Sequence, residues 1–407
     1  MKKNETRYKI DRTTEETQQV REGSVIRLST LLVLILAACS GIDAATAEVK
    51  IGLTISTTGP AASLGIPVRN SISLFPTEAG GEKIRWIVLD DASDTAKGVS
   101  NARKLIAEEN VDAVIGSSTT PVSLALVEVA SETRVPFISV ASSPRIVLPM
   151  DEKRAWMFKT PQHDFVMADA IAEHMAKSGA KTAALVTFGD SYGDGWLAEM
   201  TRALEKAGIK LVATERYART DSSVTGQVLK VIAANPDAVM IAASGTPAAL
   251  PQKTLRERGY KKPIYQNHGV ANTDFLRVGG KDLEGTFVPT GPMLVAAQLP
   301  DSNPTKSIAL DYVKRYEDTW GPGSVATFGA HAMDAALLLE KAIPVALKNA
   351  KPGTPEFRAA LRDALETLKN VPVTHGVVNM SKDDHNGFDN RARVMVVIEN
   401  GKWKLLQ

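Results

Sequence analysis

From residue 49 to residue 288, short apolar runs alternate with longer amphipathic ones, and few folds accommodate such a chain. The short runs suit buried strands, and the stretches between them suit helices laid over a parallel sheet. Residues 49–55, 84–90, 113–116 and 137–141 read as strands, with helical spacing over 96–109 and 122–133. A second series begins near Gln162. Its helices are expected over 166–177, 196–207, 224–234 and 247–258, and its strands over 182–187, 210–217, 238–242 and 263–266. The two series predict an α/β fold of two Rossmann-like lobes, each with a parallel sheet.

The tail continues neither series simply. Three helices are expected over 303–320, 326–347 and 355–368, then a hairpin of 394–399 and 402–406 around Asn400-Gly401, a strong type I′ turn signal. These late elements have to return to lobes already formed. That places 48–161 plus 290–371 in one lobe and 162–289 plus 372–407 in the other. Several crossings make a multi-strand hinge, suited to closing on a ligand. The sequence shows no solenoid repeat, heptad run or low-complexity tract.

Residues 1–47 read as a leader. The apolar run 28–38 has the length of a signal-peptide core, with Arg27 before it and the small-x-small site Ala45-Thr46-Ala47 after it, so export is expected. The run is too short to cross a bilayer, which takes about 20 residues. Leu36-Ala37-Ala38-Cys39 reads equally well as a lipobox that would anchor the chain through a lipidated Cys39. Glu15, Glu16 and Glu22 are unusual ahead of such a run, and Val25 is an alternative start. Removing the leader takes away 7 of 48 basic and 6 of 46 acidic residues and leaves a net charge of +1. That balance gives no reason to expect nucleic acid as a partner. Cys39 is the sole cysteine, so neither an intrachain disulfide nor a cysteine-based metal site is open to the chain. The remaining 360 residues exceed what one core usually supports.

Six motifs stand in a telling order. They are Val49-Lys50-Ile51-Gly52 to Thr58-Gly59-Pro60, Leu89-Asp90-Asp91-Ala92-Ser93-Asp94, Val114-Ile115-Gly116, Val135-Pro136-Phe137-Ile138-Ser139, Asp190-Ser191-Tyr192-Gly193-Asp194-Gly195 and Asn267-His268-Gly269-Val270-Ala271-Asn272. Together they resemble the branched-chain amino-acid receptors among the type I periplasmic binding proteins, the soluble components of ABC importers. The likeness covers essentially all of residues 48–407. It implies a periplasmic monomer that captures a small molecule in an interlobe cleft by hinge closure and delivers it to an inner-membrane ABC permease. No catalysis, cofactor, metal or nucleic acid is implied.

Ligands of open parallel α/β sheets bind beyond the carboxyl ends of the strands, where helix N-termini favour anions. Two hydroxyl-rich loops fit. In Ser117-Ser118-Thr119-Thr120-Pro121, Thr120 reads as a helix N-cap with Pro121 at the first helical position. The resemblance puts Thr120 where the family has a serine that binds the ligand carboxylate, with Ser118 and Thr119 beside it. Four hydroxyl residues exceed what a cap needs. The second loop is Ala141-Ser142-Ser143-Pro144. The matching family segment supplies a backbone carbonyl and a hydroxyl to the ligand head group, which map to Ala141 and Ser143.

From the second lobe, Tyr192 is expected in a loop before its helix and matches a tyrosine that closes over the ligand in the family. Two other family tyrosines are replaced, one by Leu64 or its neighbour and one at Gly245-Thr246, which leaves room for a larger ligand. The strongest departure is His268. In the family, a glutamate opens the Gly-Val-Ala-Asn run and pairs with the ligand's α-ammonium. A histidine can instead donate to an oxygen, and a buried ammonium left without a carboxylate loses several kcal/mol. A small carboxylic acid with a 2-oxo or hydroxyl group and an aromatic or branched tail is therefore expected over an α-amino acid. The alternatives are a branched-chain or aromatic amino-acid receptor and the ligand-sensing subunit of a signalling system.

An enzyme finds little support. The histidines at 163, 174, 268, 331, 375 and 385 show no metal-ligand spacing such as His-x-x-Glu-His. There is no Gly-x-Ser-x-Gly elbow, and Gly189, Gly193 and Gly195 are too irregular for a dinucleotide fingerprint. The acidic groups Asp90-Asp91-Asp94 and Asp383-Asp384-His385 are expected in solvated loops.

Overall fold

The computed structural model describes residues 48–406. The leader features at 28–38, 45–47 and Cys39 lie outside the described residues. Six strands form the first sheet: β1 (Val49–Ile55), β2 (Glu78–Ala79), β3 (Glu82–Asp90), β4 (Ala113–Gly116), β5 (Phe137–Ser139) and β6 (Met157–Lys159). Their order is β2-β3-β1-β4-β5-β6, parallel apart from the short β2. The second sheet takes β7 (Thr182–Phe188), β8 (Lys210–Tyr217), β9 (Ala238–Ala242), β10 (Ile264–Gln266) and β11 (Phe287–Thr290). Then β12 (Val371–Val373) and β13 (Gly376–Val378) pair only with each other, and β14 (Val394–Glu399) and β15 (Lys402–Leu405) join the second sheet as antiparallel additions. Its order is β15-β14-β11-β10-β9-β7-β8.

The apolar runs are continuous because the first sheet is covered on both faces. In β4, Ala113 and Ile115 enter a core with residues of the helices Ala62–Ser71 and Thr327–Ala346, while Val114 enters another with residues of Thr95–Ala107 and Thr120–Thr133. That is the two-residue period of a strand, with something apolar to meet on either side. Both sheets also reverse their strand order once, at β1/β4 and at β7/β9. At such switch points the loops beyond the strand ends diverge and leave a crevice.

Several expected strands coincide with the observed ones, including Val49–Ile55, Ala113–Gly116, Lys210–Tyr217, Ala238–Ala242 and Val394–Glu399. Asn400 and Gly401 carry φ of 53° and 68°, as a type I′ turn requires. Glu284 accepts hydrogen bonds from both of their N–H groups, at 2.9 and 2.7 Å. The helix Ala62–Ser71 was not expected, because Gly65 and Pro67 lie inside it and weaken its propensity. Burial of Leu64 and Val68 in the first core outweighs that cost. The helix expected from 196 begins at Ser191 instead. The Asp190 carboxylate caps it, accepting from Tyr192 N at 2.9 Å and Gly193 N at 3.2 Å.

Neither acidic group is simply solvated. Asp91 is fully buried and accepts from the hydroxyls of Ser56 at 2.7 Å and Ser117 at 2.6 Å. Ser117 is thereby committed to the fold. Asp383 is exposed, but His385 is buried, stacked on Phe158 at 4.0 Å and bonded to the Met157 carbonyl at 2.8 Å. Val373, Val378 and Met380 belong to the first sheet's core, whereas Val396 and Ile398 belong to the second's, so the chain's last return lies beyond Met380 rather than at 372.

Candidate functional site

The loops beyond the strand ends enclose a narrow pocket. On one wall are Leu64 after β1, Ser118, Thr119 and Thr120 after β4, Val140, Ala141 and Ser142 after β5, and Pro161 after β6. Thr327, Phe328 and His331 of the long helix Thr327–Ala346, which packs on the first sheet, stand on the same side, and opposite are Tyr192 after β7, Arg219 after β8, Ser244 after β9, and His268 and Gly269 after β10. The two walls touch, since Thr246 N donates to Ser63 Oγ at 3.2 Å.

Among the expected residues, Ser118, Thr119, Thr120, Ala141, Ser142, Tyr192 and His268 line this pocket, and Ser143 and Gly245 do not. Gly245 is turned away at φ +65°, donates to the Gly269 carbonyl at 2.8 Å and would put a Cβ 2.6 Å from Ser63 Oγ. Ser143 starts the short helix Pro144–Ile146, its hydroxyl buried and without a partner on the Gly195 side.

The hydroxyl wall is not spent on capping. The N-cap of Thr120–Thr133 is Thr119 rather than Thr120, because Thr119 keeps an extended backbone, and no side chain bonds the free N–H groups there. Thr120 Oγ is buried without a partner. Hydroxyls and free N–H groups at a helix N-terminus form a site for an anion.

The second wall is aromatic and cationic. Tyr192 lies in the first turn of Ser191–Lys206, and burial pushes its phenol well above its usual value, so it remains a donor. Trp196 follows one turn later, its indole N–H also buried and unpartnered. Arg219 donates to Asp190 at 2.6 Å and Ser244 at 3.0 Å and lies 4.1 Å over the Phe188 ring. Its charge is already matched, so it frames the pocket more than it draws an anion.

His268 opens the short helix His268–Val270, capped by Asn267, which accepts from Gly269 N at 2.9 Å. Burial, with Lys159 adding to it, pushes its pKa down to about 3, so it is neutral at physiological pH. Both its ring nitrogens are unpartnered. Asp164 Oδ1 is 3.9 Å from His268 Nε2, beyond hydrogen-bond range, and with a neutral ring the two do not form an ion pair. Asp164 is fully buried, neither oxygen has a partner, and burial drives its carboxyl upward. Lys159, equally buried, donates to the Pro161 carbonyl at 2.5 Å and is driven downward by the same cause.

Asp164, Lys159, Arg219 and His331 escaped the sequence reading. One signal was present: Lys159 interrupts the apolar run at β6, where a charge needs a reason. His331 stacks on His375 at 3.8 Å, and His375 Nδ1 lies 2.9 Å from Asp334 Oδ2. Donor atoms of these three groups lie within 4.8 Å of one another. The two imidazole planes are only 17° from parallel, so their lone pairs do not converge as a shared ion requires. The trio instead fixes the ring that His331 presents to the pocket.

A family model described as periplasmic binding protein matches residues 48–402. A Leu/Ile/Val-binding protein homolog of Brucella melitensis is 25% identical over 348 residues, 84% of this chain and 89% of that protein. A solved extracellular ligand-binding receptor from Rhodopseudomonas palustris HaA2 is 47% identical with a TM-score of 0.86, covering 88% of this chain and 100% of that one. A solute-binding protein of an ABC transporter from R. palustris, solved with benzoate, shares the fold at 21% identity and TM-score 0.77, over 88% of this chain and 95% of that one. Members of this family are receptors rather than enzymes. With two α/β sheets, a crevice at their switch points and a family match over nearly all the described residues, the chain belongs to the periplasmic binding proteins.

Proposed function

We propose that this receptor captures a small carboxylic acid, a 2-oxo acid or an aromatic acid in preference to an α-amino acid, and delivers it to an inner-membrane ABC permease. One observation carries the reading. A helix N-terminus where the Thr120 hydroxyl is buried without a partner faces a histidine that burial holds neutral, where the amino-acid receptors have a glutamate. The hydroxyls of Ser118, Thr119, Thr120 and Ser142 take the carboxylate, with Ala141 contributing its backbone. His268 and Tyr192 offer donors to a neutral oxygen, and the apolar Leu64, Val140 and Phe328 surround the tail. The benzoate solved in a distant relative is compatible with this choice. A second reading, an amino-acid receptor, is favoured by Asp164, whose buried carboxylate stands close enough to take over the role of the missing glutamate.

In this reading the two sheets, with their helices, are lobes that swing about the crossings near residues 161, 290 and 392. The touching walls then represent the closed form. Small-angle scattering tests it: the radius of gyration is expected to fall as phenylpyruvate is added. An unchanged radius at saturation would contradict closure.

A further inference from the structure

Asp164 is the buried counter-charge of Lys159, yet no hydrogen bond holds either of its oxygens. It opens the helix Asp164–Lys177, where an acid is ordinarily solvated or bonded to backbone N–H groups, yet it is fully buried with both oxygens unpartnered. It lies 3.9 Å from His268 and near Ser142, two residues that line the pocket. The groups that face it are Lys159 from the end of β6, Glu199 and Tyr192 from the helix Ser191–Lys206, and His268; His163 adjoins it on its own helix. Glu199 bonds Arg202 at 3.0 Å and is matched there, and burial keeps His163 and His268 neutral. The buried charges nearest the ligand's head group are those of Lys159 and Asp164, which cancel; Asp334, also buried, is set back behind His331 and bonded to His375 at 2.9 Å.

An anion entering this balanced pair leaves one negative charge without a counterpart in a dry site, which is costly. A proton added to Asp164 removes the excess and turns the carboxyl into a donor for a ligand oxygen. A zwitterion brings its own positive charge and needs no proton. We propose that Asp164 reads the charge of the group next to the ligand's carboxylate, taking up a proton together with a plain anion and staying ionised opposite an ammonium.

The proposal rests on the carboxylate reading of the pocket, and calorimetry separates the two. Phenylpyruvate and phenylalanine are titrated at pH 8 in two buffers of different ionisation enthalpy, so that the difference in heat reports proton uptake. Wild type should take up about one proton with phenylpyruvate and none with phenylalanine, and its phenylpyruvate affinity should fall by up to about tenfold per pH unit above neutrality. Asp164→Asn should bind phenylpyruvate without proton uptake and with a flat pH profile. Thr120→Val, which touches only the carboxylate wall, should weaken both ligands by a similar factor and leave the uptake unchanged. Phenylpyruvate binding to wild type with no uptake would overturn the role of Asp164, and that result needs no variant. Uptake persisting in Asp164→Asn would assign the proton to Lys159 and overturn it equally. If phenylalanine binds and phenylpyruvate does not, the carboxylate reading fails, and proton uptake by an anion fails with it.

Discussion

His268→Glu is expected to change the ratio of affinities for phenylpyruvate and phenylalanine by at least tenfold in favour of the amino acid, about 1.4 kcal/mol. Wild type offers a neutral imidazole, which can donate to a 2-oxo group but gives an ammonium no counter-charge. A carboxylate at this position repels the oxo oxygen and pairs with the amine, so the two affinities move in opposite directions. The variant also places a second carboxyl beside buried Asp164, and close carboxylates do not both ionise freely. The swing should therefore grow as the pH rises and both groups lose their protons. Titrating the matched pair against both proteins checks it, and an unchanged ratio would remove His268 from the specificity argument.

The second large effect is expected at Gly193. A Cβ there would sit 1.9 Å from the Phe188 carbonyl oxygen and 2.7 Å from Thr187 Oγ1, so the start of the helix Ser191–Lys206 would have to move off β7. Overpacking against a rigid backbone costs about 1–3 kcal/mol, and Gly193→Ala should lower the melting temperature accordingly. The displaced turn carries Tyr192 into the pocket wall, so affinity should fall as well. Thermal unfolding with and without phenylpyruvate reads both. Unchanged melting and unchanged affinity would show that the helix tolerates the shift.

The same glycine shows where sequence reading stops. Gly193 and Gly195 lower helix propensity, so sequence pattern alone starts the helix after them; what starts it earlier is the Asp190 carboxylate, whose effect depends on geometry. Strands such as Val49–Ile55 were legible because burial on both faces leaves an uninterrupted apolar run. Tyr192 and His268, expected from motif position, both line the pocket. Asp164, Lys159, Arg219 and His331 were not legible, because they come from three separate stretches, with Lys159 and Asp164 sharing one, and acquire meaning only when folding brings buried charges and a ring nitrogen to one crevice. Ser143 and Gly245 show the converse. Neither lines the pocket: the Ser143 hydroxyl lies by Gly195, and Gly245 is held to Gly269 with its missing Cβ facing Ser63.

The central claim is that the crevice selects a carboxylate lacking an ammonium. Calorimetric titration of the wild-type receptor with phenylpyruvate and with phenylalanine at one pH addresses it most directly. Phenylpyruvate is expected to bind at least tenfold more tightly, about 1.4 kcal/mol, whereas phenylalanine or leucine binding as tightly as phenylpyruvate, or more so, would show that this is an amino-acid receptor.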